Sequence, residues 1–551
     1  MSRQQVLAEI VPPYAERKRQ IEASPLPANL GQLLDEAAGA APDQVVLDFF
    51  ESDEQLTYAA LRDQVNRLAN GMLAAGIGKG VHVGVMIPNI AAFPVTWLAL
   101  ARIGAVMIPI NIAYTPRELT YVLQTGDGTH LVVHDSCLGT VASAAGAAAE
   151  GSGSPALSPD RIFVVGAQPP GHRSWAALME GQSGAHVDAP PVGHQDLLNI
   201  QFTSGTTGFP KGAMLTQLYW LTIGKQAAYR DGREIRRVLA ATPFFYMDPQ
   251  WQFLLCIYRR GTLYVARRQS GSRYMEWVRQ HRIQFGLCPE IVIKQPPSPH
   301  DRETEVIRFN VYGLSKGLHQ ALEERFDVIA RESFGMTEIG TGLFMPIEAT
   351  DMVGSGSCGM PAPFREARIV DADGAVVGPG VIGELQVRGQ GILKGYYNNP
   401  DATKAAFDGD WFRTGDLFRR DDAGYFYIVG RIKDMIRRAG ENISAREVET
   451  VVVAMPEVSE AAAVPVKDPV RGEEIKIYIV PREGQEKSQH LIDRIIAHCT
   501  ANLAAFKVPR FYVFRDSLPK TASGKISKPG LVADQADLRA GSYDRVERKQ
   551  L

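Results

Sequence analysis

Residues 203–212 read Thr203-Ser204-Gly205-Thr206-Thr207-Gly208-Phe209-Pro210-Lys211-Gly212. Hydroxyls and exposed backbone N–H groups donate to phosphate oxygens, and glycines let the backbone approach closely with positive φ. Lys211 adds a compact charge that neutralises a phosphate. The stretch predicts a phosphate cradle. It is not a Walker A loop, which needs Gly-x-x-x-x-Gly-Lys-Ser/Thr. Here Lys211 follows Pro210 and precedes Gly212, which closes the P-loop NTPase route.

Other stretches carry groups of use to a nucleotide. Ser333-Phe334-Gly335-Met336-Thr337-Glu338 combines a ring, a hydroxyl and a carboxylate. A ring stacks on a nucleobase, and a carboxylate holds Mg²⁺ bridging phosphates. In Thr414-Gly415-Asp416 a buried carboxylate would accept two ribose hydroxyls; alone, it is also an ordinary turn. Residues 430–442 alternate in charge, as an exposed edge strand or as a hinge with a phosphate-contacting arginine. Lys525 follows Ser523-Gly524 on a loop near the C-terminus, where a plain surface lysine is the commoner reading. Pro243 to Trp251 is rich in aromatic residues, which line either a core or a pocket.

These groups need a frame. Residues 197–202 are an apolar run that predicts a buried strand leading into the cradle. Upstream, Leu61, Val65, Leu68, Ala69, Met72 and Leu73 recur at helical spacing behind Thr57 as N-cap. Gly76 and Gly78 end that helix, and residues 81–87 read as a strand. Residues 91–103 and 105–110 repeat the order, and 131–133 add a strand. Helices alternating with short apolar strands predict a parallel α/β sheet. Residues 141–159, rich in Ala, Gly and Ser, predict a loop or a loosely held helix. Between 365 and 430, short β segments alternate with Gly-containing turns, which predicts a small antiparallel β-barrel or sheet. The pattern resets at Gly430 to Asp434 into a compact α+β unit, opened by the capping-box sequence Ser444-Ala445-Arg446-Glu447.

The totals exclude several classes. A chain of 551 residues exceeds one core. A net charge of −2 leaves no global basic footprint for nucleic acid. The five cysteines (Cys137, Cys256, Cys288, Cys358 and Cys499) are scattered, without Cys-x-x-Cys or zinc-ligand spacing. They fit a reducing compartment. The N-terminus mixes charges with no apolar signal-peptide core. The most hydrophobic stretch, 90–112, is divided by Arg102, Gly104 and Pro109, so a buried helix and strand are expected there rather than a membrane span. A cytoplasmic location is the expectation.

Together and in this order, the motifs resemble the AMP-forming adenylating superfamily of acyl-CoA ligases, peptide-synthetase adenylation domains and luciferases. The resemblance runs from about residue 30 to about residue 530. Within the superfamily the chain looks most like the acyl-CoA ligases, particularly the crotonobetaine/carnitine-CoA ligase-like branch. Pro296-Pro297-Ser298, Val466-Lys467-Asp468-Pro469-Val470-Arg471 and Phe506-Lys507-Val508-Pro509 support that branch.

The resemblance implies an α/β protein. Its large N-terminal domain, residues 1–432, would bind AMP and the acyl substrate and hold α/β sheets plus a small β-barrel. A small mobile α+β domain, 433–551, would carry the adenylation lysine. Thr203, Ser204, Gly205, Thr206, Thr207 and Lys211 are implied to hold the β- and γ-phosphates of ATP. Phe334 would lie at adenine, with Gly313 and Gly335 beside the nucleotide. Thr337 would serve the phosphate, Glu338 the Mg²⁺, Asp416 the ribose, and Arg431 would sit beside it. Lys433 matches the hinge. Lys525 matches the lysine that meets the acyl carboxylate and the α-phosphate. Gly440 falls in the loop lining the path of coenzyme A. Lys525, Glu338 and Thr337 are the implied catalytic residues. Tyr246, Met247, Trp251, Gly335 and Met336 are the implied acyl pocket.

The activity implied is an ATP-dependent acid–CoA ligation through an acyl-adenylate. The alternative is a stand-alone or single half-reaction enzyme that loads a carrier-protein phosphopantetheine. A non-catalytic relative is a further alternative. The partners are a small carboxylic acid, ATP and CoA, with no nucleic acid. Two departures stand out. Tyr246 occupies a position where many members carry a pocket histidine, and Tyr312-Gly313-Leu314-Ser315 replaces the usual Gly-Gly-Ala-Pro. The larger Leu314 is expected to narrow the adenine wall.

Overall fold

The computed structural model describes residues 12–149, 157–203, 210–314, 316–439, 441–521, 524–533, 535 and 537–551. They fall into two compact units. The first takes Met1–Gly205, Phe209–Ala367 and Val387–Phe412; the second takes Arg368–Gln386 and Arg413–Leu551.

The first unit holds a sheet in the strand order Arg173–Ser174, Ile162–Val165, His130–His134, His82–Met86, Val106–Pro109, Leu197–Thr203, Lys211–Thr216. All neighbours are parallel except the last pair, a hairpin. Parallel strands are covered on both faces, which explains their unbroken apolar runs; every residue of Val106–Pro109 is buried. The helix Ala92–Ile103 is buried on almost every side, and Gly104, in the left-handed region at φ 70°, ends it. That burial accounts for the hydrophobic stretch. No helix among the described residues is long and apolar enough to cross a membrane. Thr57 caps the helix Tyr58–Ala74 by accepting the Ala60 N–H at 3.2 Å.

A second set of strands in this unit runs Ser357–Pro361, Gly340–Phe344, Ala330–Met336, Arg308–Val311, Phe285–Leu287, Arg237–Ala240, Thr262–Val265, Val45–Phe49, Glu54–Thr57. It is parallel from Ala330–Met336 to Val45–Phe49 and antiparallel at both ends. The Ala/Gly/Ser-rich stretch resolves in part: Leu138–Ala149 is a helix, and residues 150–156 lie outside the described residues.

The second unit contains the strand Trp411–Arg420 from Arg413 onward, antiparallel to Phe426–Arg431, followed by a single 3₁₀ turn, Ile432–Asp434. The chain then builds an α+β layer. Its central strand, Gly472–Pro481, pairs with Val458–Asp468, Met435–Arg438 and Phe511–Phe514. Helices Ala445–Val453 and Gln489–Asn502 bury Val448, Val452, Ile495 and Cys499 in the same core as Ile475, Ile477 and Ile479.

The expected capping box at 444–447 forms only by half. Ser444 accepts the Glu447 N–H, but the Glu447 carboxylate takes the Lys507 ammonium at 2.7 Å. A charged partner outcompetes a backbone donor there. The complete box lies at Thr115 and Glu118, opening the helix Pro116–Thr125.

Candidate active site

The strands on either side of residues 204–209 pair with each other. Leu197–Thr203 and Lys211–Thr216 pair in register down to Thr203 opposite Lys211, where the Thr203 hydroxyl donates to the Lys211 carbonyl at 3.4 Å. Ser204, Gly205, Thr206 and Thr207 lie outside the described residues. Lys211 therefore opens the second strand of the pair. Its ammonium lies over the Tyr396 ring, 4.8 Å from the centroid. The Tyr396 hydroxyl donates to Glu338 Oε1 at 2.9 Å. Glu338 is only 6% exposed. Burial pushes the Tyr396 phenol well above its ordinary pKa, and the Glu338 carboxylate pushes the same way, so the hydroxyl keeps its proton and donates. One aromatic ring thus joins the lysine of one motif to the carboxylate of another.

Tyr396 carried no sequence signal beyond an aromatic pair after Gly395. Backbone pairing delivers it. Lys394 N–H donates to Met214 O at 2.9 Å, Met214 N–H to Gly395 O at 2.9 Å, and Tyr397 N–H to Gly212 O at 2.8 Å. The segment lies against the cradle's own second strand. Leu393 N–H also donates to the Glu338 carbonyl at 2.7 Å.

The stretch 333–338 lies on the hairpin Ala330–Met336 and Gly340–Phe344. Phe334 faces Leu343, Gly335 faces Thr341 and Met336 faces Gly340, with a bulge between Phe334 and Gly335. Thr337 and Glu338 occupy the turn. Gly340 closes it at φ 64°, and a Cβ there would sit 2.4 Å from Ile223 Cγ2, so the position requires glycine. The Tyr219 hydroxyl donates to the Thr337 carbonyl at 2.8 Å and lies 3.8 Å from Met247 Sδ. Behind the hairpin, the Glu332 carboxylate accepts the N–H groups of Gly313 and Leu314 at 2.9 and 3.0 Å. That clamp shapes the loop containing Gly313. The Leu314 side chain, 6% exposed, lies in the apolar core with Leu322 and Phe326.

Tyr246 ends the loop that precedes the helix Met247–Arg259. Buried amides hold this loop. Asn89 donates to Thr242 O and Ala266 O and accepts the Phe244 N–H at 2.8 Å. Gln201, on the cradle strand, donates to Phe245 O at 2.9 Å. Gln250 donates to Phe244 O and Tyr246 O, and receives Asn199 Nδ2 at 3.1 Å, whose own oxygen takes the Trp97 indole N–H at 3.0 Å. Asn111 donates to the Tyr246 hydroxyl at 3.4 Å. Tyr246 and the strand Leu197–Thr203 are thus fixed to one buried network. Trp251 packs against Phe285, centroids 5.8 Å apart, and donates to Asp248 Oδ1 at 3.1 Å.

The second unit gathers the other groups. Asp416 pairs with Arg431 across the strands, and Arg431 Nε donates to Asp416 Oδ1 at 3.1 Å. Asp416 is 3% exposed. Burial pushes its carboxyl above the usual carboxylate range, against the pull of Arg431, Arg446 and Lys525. Lys525 therefore acts on the same carboxylate as Arg431, although the two lie far apart in sequence. Arg446, read only as part of the capping sequence, joins them. Lys525 sits in a hairpin closed by a bridge between Lys520 and Ile526 and by Thr521 N–H donating to Lys525 O at 2.7 Å. Lys433 is exposed within the turn Ile432–Asp434. Gly440 lies outside the described residues.

No group of three or more His, Cys, Asp or Glu side chains able to hold a metal occurs among the described residues. The buried Glu338 carboxylate is a hard oxygen donor of the kind that would suit Mg²⁺.

Comparison with known proteins matches this arrangement. Residues 34–397 match the family of AMP-binding enzymes, and residues 447–525 match the AMP-binding enzyme C-terminal domain. The chain is 32% identical over 523 residues to a crotonobetaine/carnitine–CoA ligase of Salmonella choleraesuis (strain SC-B67), covering 91% of this chain and 98% of the relative. The crystal structure of ATP-bound MatB from Rhodopseudomonas palustris superposes with a TM-score of 0.78 at 26% identity, covering 91% of this chain and 98% of MatB. The anthranilate CoA ligase AuaEII in complex with anthranoyl-AMP, at 24% identity, shares the fold with a TM-score of 0.80 over 93% of this chain and 98% of its own. The chain belongs to the AMP-binding enzyme family and is an AMP-forming acyl-CoA ligase of the adenylate-forming kind.

Proposed function

We propose that this ligase joins a small carboxylic acid to coenzyme A in two steps at the expense of ATP. The observation that carries the reading is the buried Glu338 carboxylate, held by Tyr396 beside the Lys211 ammonium. In the first step a carboxylate oxygen of the acid attacks the α-phosphorus. The bond to the β-phosphate oxygen breaks, and pyrophosphate leaves with that electron pair. In the second step the CoA sulfur attacks the acyl carbon, the thiol proton is released, and the bond to AMP breaks.

Two anions must meet in the first step. Lys525 offsets their repulsion and the charge that develops at the α-phosphate. Thr203, Lys211 and the 204–207 loop hold the β- and γ-phosphates, and Thr337 adds a hydroxyl. Glu338 would hold Mg²⁺, which would supply charge neutralisation at the phosphates. Asp416 accepts the ribose hydroxyls, and Arg431 keeps that carboxylate oriented. Phe334, Gly313 and Gly335 border adenine. Tyr246, Met247, Trp251 and Met336 wall the acyl group. Residues from 433 onward form the mobile part, and rotation at Lys433 exchanges Lys525 for the segment with Gly440 before the thiol attacks. A cytoplasmic setting suits the five cysteines, each buried with a free thiol.

The acid is identified by ATP- and CoA-dependent AMP release. Crotonobetaine and carnitine, the acids in the relatives' names, are screened beside uncharged aromatic and aliphatic acids of similar size. Absence of AMP release with every acid rejects the ligase reading. Acyl-AMP build-up without CoA consumption points to a carrier protein as acceptor.

Lys525→Ala is expected to lower adenylation by about 100-fold or more, the scale of losing a charge-stabilising group. Thioester formation from supplied acyl-AMP stays near wild type, and an equal fall in both overturns the role of Lys525. Lys433→Pro restricts φ at the turn. It slows thioester formation more than adenylation, and equal slowing in stopped-flow partial reactions rejects the hinge. Tyr246→Ala shifts acyl preference, and an unchanged ranking of kcat/KM across the acid panel removes Tyr246 from the pocket.

Asp416→Asn trades function for stability. Burial holds the folded-state pKa of Asp416 above its unfolded value, so the unfolded chain binds fewer protons and the cost is fully present above the folded-state pKa. Asparagine removes that cost, raising stability near pH 7 while nucleotide turnover is lost. Below the unfolded pKa, at about pH 3, the two proteins converge. Thermal unfolding at both pH values checks this; a lower Tm for the variant near pH 7 contradicts it.

A further inference from the structure

Lys528 follows Lys525 in the same segment, and no step above uses it. Its ammonium lies 2.7 Å from Glu449 Oε1 and 3.7 Å from Asp434 Oδ2. Glu449 Oε1 also accepts the Ala463 N–H at 2.8 Å, which fixes that carboxylate to the strand Val458–Asp468. Asp434 is the last residue of the turn Ile432–Asp434 and directly follows Lys433. On the other side of Lys433, Arg431 is tied to Asp416 at 3.1 Å. An ion pair therefore stands on each side of the turn's exposed middle, where Ile432 is 40% exposed.

An exposed ion pair contributes little. This one differs in that a single ammonium serves two carboxylates from separate elements, and the Lys528 and Glu449 side chains are 21% and 20% exposed. Burial pushes the Glu449 carboxyl up, Lys528 opposes this, and Asp434 adds to it, so loss of Lys528 would set two carboxylates against each other. The hairpin transmits the anchorage. Ser527 N–H donates to Pro519 O at 2.7 Å, and Lys520 bridges Ile526, so the base of the hairpin bearing Lys525 is closed next to Lys528.

We infer that Lys528 is a positioning residue: it joins the turn after the hinge to the Lys525 hairpin, so that both move as one piece and rotation is confined to Ile432 and Lys433. The inference rests on the hinge and adenylation roles proposed for Lys433 and Lys525.

Amide hydrogen exchange on the full chain tests the coupling without any acid. Lys528→Met is expected to speed exchange about tenfold in peptides covering both 431–438 and 519–532. Asp434→Asn should also speed exchange in 519–532, and Lys528→Arg should stay near wild type. Faster exchange confined to the substituted segment overturns the inference. ATP–pyrophosphate exchange, run with the panel acid that gives the most AMP, should fall at least about fivefold in Lys528→Met, while thioester formation from supplied acyl-AMP is unchanged. An equal fall in both half-reactions also overturns it. If Lys528→Met does not fold, Asp434→Asn decides by the same criteria. If no acid releases AMP, the ligase reading fails, while the exchange measurements still decide the coupling.

Discussion

A carboxylate withdrawn from water is the constraint on which the candidate groups of each unit rest. Isolated, such a group neutralises itself or demands compensation of several kcal/mol. Glu338 meets the demand with a phenol that donates to it and a lysine over the same ring. Asp416 meets it with the directly bonded Arg431 and with the charges of Arg446 and Lys525. Asp416 nevertheless stays above the ordinary carboxylate range, so the local charges only partly offset its burial. A group kept in that condition is poised for further hydrogen-bond donors or a cation.

The frame around these carboxylates is built to hold backbone rather than to add contacts. Asn89, Asn199, Gln201 and Gln250 are buried amides, and several of their bonds end on main-chain carbonyls of the loop before Met247. Removing one partner of such a network leaves buried groups unsatisfied, which costs more than the bond itself contributes. The loop bearing Tyr246 is therefore tied to the cradle strand by chemistry that tolerates little drift. Glu332 does the same for Gly313 through two backbone N–H groups.

In the second unit the same economy of charge brackets one exposed turn. Arg431 and Asp416 end the preceding strand pair, and Asp434, Lys528 and Glu449 tie the far end of the turn to the α+β layer. The central strand Gly472–Pro481 and its apolar core hold that layer together. Ile432 and Lys433, between the two ion pairs, are exposed.

The sequence by itself determined the alternating α/β frame, the strand Leu197–Thr203 and the cap at Thr57, because each is written in local periodicity or in short-range hydrogen bonding. It also determined the family, because motif order survives without coordinates. What it left open were the partners across long sequence distances. Tyr396 meets Glu338 only because residues 393–397 lie along the cradle's second strand. Leu314 turns inward because Glu332 pins the backbone beside it. Glu447 leaves its capping box because Lys507, distant in sequence, offers a full charge. Lys528 acquires meaning only beside Asp434 and Glu449. Each outcome is a competition between a local bond and a remote one, and only the tertiary structure places the remote partner within reach.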